Sequence, residues 1–261
     1  MAPKTLFTAE TRPLVPDLHL EQGSFRLRFA VTDEDLDRIL RMRYEVFNVE
    51  MNEGLEASRL TGRDQDEFDE VCQHLMVEEI STGRVVGTYR LQATRHALAG
   101  KGLYSAGEFD LSGIPADVLD RSVELGRACI AKEFRTGRVL FFLWRGLVAY
   151  VDWHEARYLF GCSSLTSQDP RDGLWLSERL RRMGAKHEEW GVRPLAGFEC
   201  ETDASLEEHP GVQIPKLFGI YLRYGAKMLG EPALDRRFKT IDFLTLLDLY
   251  DLTPETLAQL S

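Results

Sequence analysis

A handful of charged side chains fall at positions where a charge is costly without a partner. Arg43 recurs with Leu36, Leu40 and Phe47 at the spacing of one helical face. Arg90 shares one face of a β-rich run with Val86 and Thr88. Asp66 and Asp69 stand just before that run, in Asp66-Glu67-Phe68-Asp69. Glu124 and Arg127 belong to Glu124-Leu125-Gly126-Arg127, on a predicted strand. Carboxylates and arginines of this kind can do acid–base or binding chemistry. The same residues would equally form an ion-pair network that fixes a long loop, and both readings stay open here. Glu124 and Arg127 are three apart, so a regular strand points them to opposite faces. A bulge at Gly126 is predicted to turn both the same way.

Lys132, Arg135, Arg138 and Arg145 concentrate positive charge at a predicted helix start. That is either a solvated turn or an anion site. Gly-x-Ser-x-Gly, Walker, Rossmann and His-Glu-x-x-His signatures are missing from the sequence. Gly161-Cys162-Ser163-Ser164 looks like a nucleophile turn, but it ends a predicted core strand without the required motif. Cys72, Cys129, Cys162 and Cys200 lack metal-ligand or redox spacing, so buried free thiols and no metal are expected.

The elements that must carry these residues follow from periodicity. Residues 1–24 read as an extended arm. A strand over 25–31 leads to a helix capped by Thr32 and running to about Phe47. Residues 48–70 read as a long loop. Strands over 74–80 and 85–92 flank Ser81-Thr82-Gly83 as a hairpin. Residues 93–121 are irregular, with a short helix near 115–120. A strand over 123–130, a basic turn, a helix over 138–155 that is apolar on nearly every side, and a strand over 157–165 make a βαβ unit. Helices are expected over 169–183 and 215–229, strands over 195–200 and 240–247, and a helical tail from Pro254.

Net charge is -10 and the pI about 5.2, which does not suit a general nucleic-acid binder. No apolar run reaches the roughly 20 residues a spanning helix needs, and residues 1–23 do not read as a secretory signal. A reducing, cytoplasmic setting is expected.

The ordered set Arg43-Tyr44-x-x-Phe47, Asp66-x-x-Asp69, Arg90 in Val-Gly-Thr-Tyr-Arg-Leu, and Glu124-x-x-Arg127 resembles the GCN5-related N-acyltransferases, GNAT. Within them it is similar to the ornithine-lipid N-acyltransferases, the long-chain N-acyl amino acid synthases and the acyl-homoserine-lactone synthases. Ile214-Pro215 to Pro232 and Phe238 to Asp242 resemble the C-terminal part of the first two groups. The resemblance implies an α/β (α+β) GNAT fold, a mixed central β-sheet flanked by helices. It places the acyltransferase domain at 25–250, between the arm at 1–24 and a tail at 251–261.

It further implies direct transfer of a long-chain acyl group, 3-hydroxylated in some cases, to the α-amine of an amino acid, with ornithine as the expected acceptor. Glu124 becomes the base. Arg43, Phe47, Asp66, Asp69, Arg90 and Arg127 become substrate-binding residues. Arg135, Thr136, Gly137 and Arg138 become the cradle for the donor's phosphopantetheine. The usual Arg/Gln-x-x-Gly-x-Gly/Ala pattern is reduced here to one clear glycine with an added arginine. That favours acyl carrier protein over coenzyme A as donor, with no further cofactor. Transient contact with the inner membrane face follows from an amphiphilic product. The alternatives are a lactone-signal synthase and a non-catalytic module that binds acyl chains or carrier protein.

Overall fold

Strands and helices follow the predicted order along most of the chain. The computed structural model describes residues 14–203, 206, 209–253, 255 and 256, so the arm before residue 14 and most of the tail lie outside the described residues. The strands are β1 (His19–Gln22), β2 (Phe25–Phe29), β3 (Gln73–Glu79), β4 (Val85–Ala93), β5 (Phe109–Asp110), β6 (Ser122–Ile130), β7 (Tyr158–Leu165), β8 (Arg193–Pro194), β9 (Lys227–Met228), β10 (Ala233–Asp235) and β11 (Thr240–Asp248). The helices are α1 (Asp33–Tyr44), α2 (Ser58–Thr61), α3 (Thr94–Ala99), α4 (Ala116–Asp120), α5 (Arg138–Trp153), α6 (Pro170–Arg182) and α7 (Lys216–Arg223). The fold is mixed α/β, with a large mixed sheet flanked by helices.

Two units divide the chain: 1–92 with 125–156 and 254–261, and 93–124 with 157–253. In the first, β1, β2, β3 and β4 form an antiparallel meander, and β4 neighbours the later part of β6. Helix α5 packs on β2 and β3, and glycines keep its approach to β3 and β4 close. A Cβ on Gly146 would lie 2.5 Å from Leu75 Cδ2, and one on Gly87 2.7 Å from Val139 Cγ1. Helix α1 starts as read: Thr32 Oγ1 accepts from the Asp35 N–H at 3.1 Å, with Asp33, Glu34 and Asp35 in the first turn. Past Tyr44 the helix widens into a π turn over Glu45–Glu50 that buries Phe47.

In the second unit, the first residues of β6 run parallel to β7, from Ser122↔Tyr158 to Glu124↔Phe160. Strand β7 pairs antiparallel with β11, which also pairs β9 and β10. With α5 in the intervening chain, β6 and β7 are the parallel pair expected of the βαβ unit. One face of β7 and β11 carries Tyr158, Phe160, Leu244 and Leu246, packed with Ala97, Leu103, Phe109, Ile114 and Val118. Leu165, Phe243 and Ile241 pack with Leu176, Leu180 and Phe218 in a second cluster.

Four expectations need correction. The loop 48–70 contains α2, which Gly62 ends in the left-handed region at φ 65. The strand expected over 195–200 is a turn instead. Gly197 takes φ 91 and the Phe198 N–H donates to Leu195 O at 2.9 Å, leaving only Arg193–Pro194 as strand and a single bridge from Glu199 to Ala233. The helix expected over 215–229 stops at Arg223, because Gly225 at φ 93 turns the chain back and Ala226 N–H closes on Tyr221 O. Lys227 and Met228 are then free to pair β11. The irregular stretch 93–121 also holds α3 besides the short helix expected near its end.

Candidate active site

The three arginines do not point to a common solvent-filled space. They close a ring with three aspartates inside the first unit. Arg43, from α1, meets Asp64 Oδ2 at 2.7 Å and Asp69 Oδ1 at 2.6 Å. Arg90, from β4, meets Asp69 Oδ1 at 3.1 Å and Asp66 Oδ1 at 2.5 Å. Arg127, from β6, meets Asp66 Oδ2 at 2.8 Å and Asp64 Oδ2 at 3.3 Å. Opposite charges alternate around the ring, so its net charge is zero. Arg43, Asp64 and Asp69 are fully shielded from solvent, and the other three nearly so.

Burial by itself would raise the Asp69 carboxyl, but the Arg43 and Arg90 guanidiniums override it and hold the group well below the usual carboxylate range. The Asp66 N–H also donates to Asp69 Oδ2 at 2.8 Å, and His74 Nε2 lies 3.0 Å from Asp69 O. Burial, against the pull of Asp69, pushes the His74 imidazole down to about 4, so it is neutral at pH 7. Asp64 was missed by sequence reasoning. The signal was charge balance: three buried arginines against two named acids leave an uncompensated positive charge, and Asp64 stands two residues before Asp66.

Arg127 takes φ 48, a left-handed backbone uncommon outside glycine. It breaks the alternation of β6 one residue beyond the predicted bulge at Gly126. That conformation costs about 1 kcal/mol or more, and the two ion pairs of Arg127 offset it. A Cβ on Gly126 would meet Arg90 only at 3.9 Å, so the break resides in Arg127 and not in the glycine.

Glu124 is in the second unit, buried at the end of the parallel pairing with β7. Its Oε2 accepts the Tyr104 N–H at 2.9 Å and its Oε1 the Ser105 N–H at 2.8 Å. These two bonds aim the carboxylate, and an ionised carboxylate oxygen can accept more than one donor. The donors come from a loop in which the sequence shows no motif.

The basic turn before α5 leaves the helix start without a side-chain cap. Gly137, at φ 89, is the helix N-cap, gives no side-chain cap, and no acid stands in the first turn. Arg135 is held by Glu50 at 2.6 and 2.8 Å and donates to Ile130 O. Thr136 and Arg138 are exposed. Ser163, in the supposed nucleophile turn, is tied to Thr245 within the β7–β11 pair at 2.9 Å. Cys162 has its thiol pushed well up by burial and neighbouring carboxylates. The cysteines are all free thiols. A buried acidic group, Glu108 with Asp242, also sits in the second unit and was not singled out in the sequence.

Residues 42–145 match the family model described as an acetyltransferase (GNAT) domain. The L-ornithine N(alpha)-acyltransferase of Agrobacterium fabrum is 34% identical over 86% of this chain and 81% of its own length. That of Brucella abortus is 31% identical over 87% and 85%. The chain belongs to this family of GNAT N-acyltransferases. It is therefore an enzyme of the N-acyltransferase class, using an acyl donor and an amine acceptor. Among solved structures it is similar to a CoA-dependent acyl-homoserine lactone synthase, BjaI, at 18% identity, a TM-score of 0.48, and coverage of 87% of this chain and 81% of that one. Among the described residues no helix is long and apolar enough to cross a membrane.

Proposed function

We propose that this enzyme moves a long-chain acyl group, 3-hydroxylated in some substrates, from acyl carrier protein to the α-amine of ornithine. The observation that carries the reading is the relationship to curated L-ornithine N(alpha)-acyltransferases along nearly the whole chain. The neutral amine attacks the thioester carbonyl. Its nitrogen–carbon bond forms as the carbon–sulfur bond breaks. The nitrogen gives up one proton to Glu124, directly or through one water, and that proton passes on to the departing pantetheine thiolate, so the amide keeps its single N–H. The backbone donors on Glu124 keep it oriented for that task.

The substrate-binding set Arg43, Asp66, Asp69, Arg90 and Arg127 acts through the neutral ring, which holds loop 62–70 in one conformation. Phe47 is buried in the π turn that continues α1, the helix that carries Arg43. Gly137 and the first N–H groups of α5, with Thr136 and the exposed Arg138, take the single phosphate of the carrier arm, while Arg135 braces the turn. Phe141, Phe142 and Trp144 of α5 are assigned to the acyl chain. The enzyme works in the cytoplasm, with transient contact at the inner membrane face where its product partitions.

The test is thiol release from long-chain acyl carrier protein with ornithine present, for wild type and Glu124→Gln. Turnover is expected to fall by about 100-fold or more while donor binding is kept. Unchanged turnover in Glu124→Gln sinks the role of Glu124. Thiol release that accompanies S-adenosylmethionine and yields methylthioadenosine replaces the reading with lactone synthesis.

A further inference from the structure

Unlike the acids of the ring, Glu108 and Asp242 form no ion pair with a cation among the described residues. Glu108 precedes β5, and Asp242 lies on β11 opposite Ser164 of β7. One carboxylate oxygen from each lies within 4.8 Å of the other and of Cys162 Sγ. Both residues are buried, beside the apolar cluster that includes Phe109, Phe160 and Leu244. Asp242 Oδ1 is buried with no hydrogen-bond partner among the described residues. Two buried carboxylates side by side demand a positive partner or a shared proton. Burial and the Asp242 and Asp235 charges push Glu108 well above the usual range, and Asp242 is raised to about 6.

Distance connects this group to Glu124 within the same unit. Glu124 is in register with Phe160, and Cys162 is two residues farther along β7 on the same face. At about 3.3 Å per residue and about 4.8 Å between strands, the Glu124 and Cys162 backbones are about 8 Å apart. Glu108 Oε2 is 3.8 Å from Cys162 Sγ. The five bonds between the two nitrogens of an α,δ-diamino acid span about 6 Å, a length of the same order as that separation between the two strand positions.

We propose that Glu108 and Asp242 form the subsite for the side-chain ammonium of the acceptor, making the enzyme selective for a diamino acid over one with an apolar side chain. The ammonium replaces the shared proton, which leaves to solvent, and the apolar cluster packs the methylene stem. The inference rests on the acyl-transfer reading, and its test separates the two.

Acylation of L-ornithine and of L-norleucine, its isostere with a methyl in place of the ammonium, is measured for wild type, Asp242→Asn and Glu108→Gln. Calorimetric binding of both amino acids to the full chain without donor is measured alongside. Wild type is expected to prefer ornithine by about 100-fold in kcat/KM, and each variant to collapse that ratio towards one, mainly through a higher KM for ornithine. A ratio that survives in both variants overturns the subsite while leaving the acyl-transfer reading standing. No thiol release from wild type with either amine overturns the acyl-transfer reading. Calorimetric binding of ornithine that is lost in Asp242→Asn would then still support the subsite, and equal binding by both proteins would overturn it. A divalent ion retained by purified wild type and lost from Asp242→Asn would also overturn it.

Discussion

Removing Asp69 from the ring should cost far more than removing the same carboxylate from a surface pair. Asp69 stands between Arg43 and Arg90, at 2.6 and 3.1 Å, and is fully shielded. Asp69→Asn leaves five charges with a net positive charge that water cannot reach. Breaking a buried pair from one side costs about 3–5 kcal/mol, against about 0–1 for an exposed pair. Arg43→Met leaves the opposite imbalance and should cost a similar amount. The double variant keeps Asp64, Arg127, Asp66 and Arg90, which balance. Its cost should therefore fall short of the sum of the single costs by about 2–3 kcal/mol. Urea unfolding, followed by tryptophan fluorescence and far-UV circular dichroism, closes the cycle. Costs that add to within about 0.5 kcal/mol, or a single-variant loss below about 1 kcal/mol, would refute the view that charge balance stabilises this loop.

Arg138→Glu places a negative charge at the uncapped start of α5, and should raise KM for an acyl carrier protein donor about tenfold, with the defect narrowing at high salt. Steady-state kinetics at two ionic strengths checks this, and an unchanged KM removes Arg138 from the donor site. His74 is lowered from 6.5 to about 4, so the folded state binds fewer protons than the unfolded one. Its contribution, about 3 kcal/mol from that difference in proton affinity, is complete above pH 6.5 and is lost as pH falls towards 4. His74→Gln should flatten that part of the stability profile in urea titrations between pH 7 and 4.5. Asp242 has the opposite sign: raised from 3.8 to about 6, it contributes stability below pH 3.8 that is lost as pH rises through 6, so Asp242→Asn should be the more stable protein at pH 8. Gly230→Ala should destabilise by about 1–3 kcal/mol or more in a thermal melt, because the new Cβ would lie 2.0 Å from Val192 O, a backbone atom.

Much of the charged ring was visible in the residue order. A helical stripe interrupted by Arg43, a β run interrupted by Arg90 and the acids between them are local patterns, and each states that a charge must be partnered when its element is buried. Thr32 as a cap, α5 as a buried helix and the β6–α5–β7 order were legible for the same reason, since periodicity and capping act within a few residues. The two misreadings towards the C-terminus, at 195–200 and 215–229, came from glycines whose left-handed backbone overrules apolar content.

What the sequence determined by itself was therefore which residues needed a partner. Which partner each one found was decided by the tertiary structure. Arg127 reaches Asp66 only because its own backbone departs from the strand, and Asp64 completes the ring although it is distant in sequence from all three arginines. Glu108 and Asp242 carry no local sign at all, because their unusual chemistry arises from lying side by side across 134 residues of chain. Short-range periodicity cannot report a juxtaposition of that kind, since it is created by strand register and burial after the chain has folded.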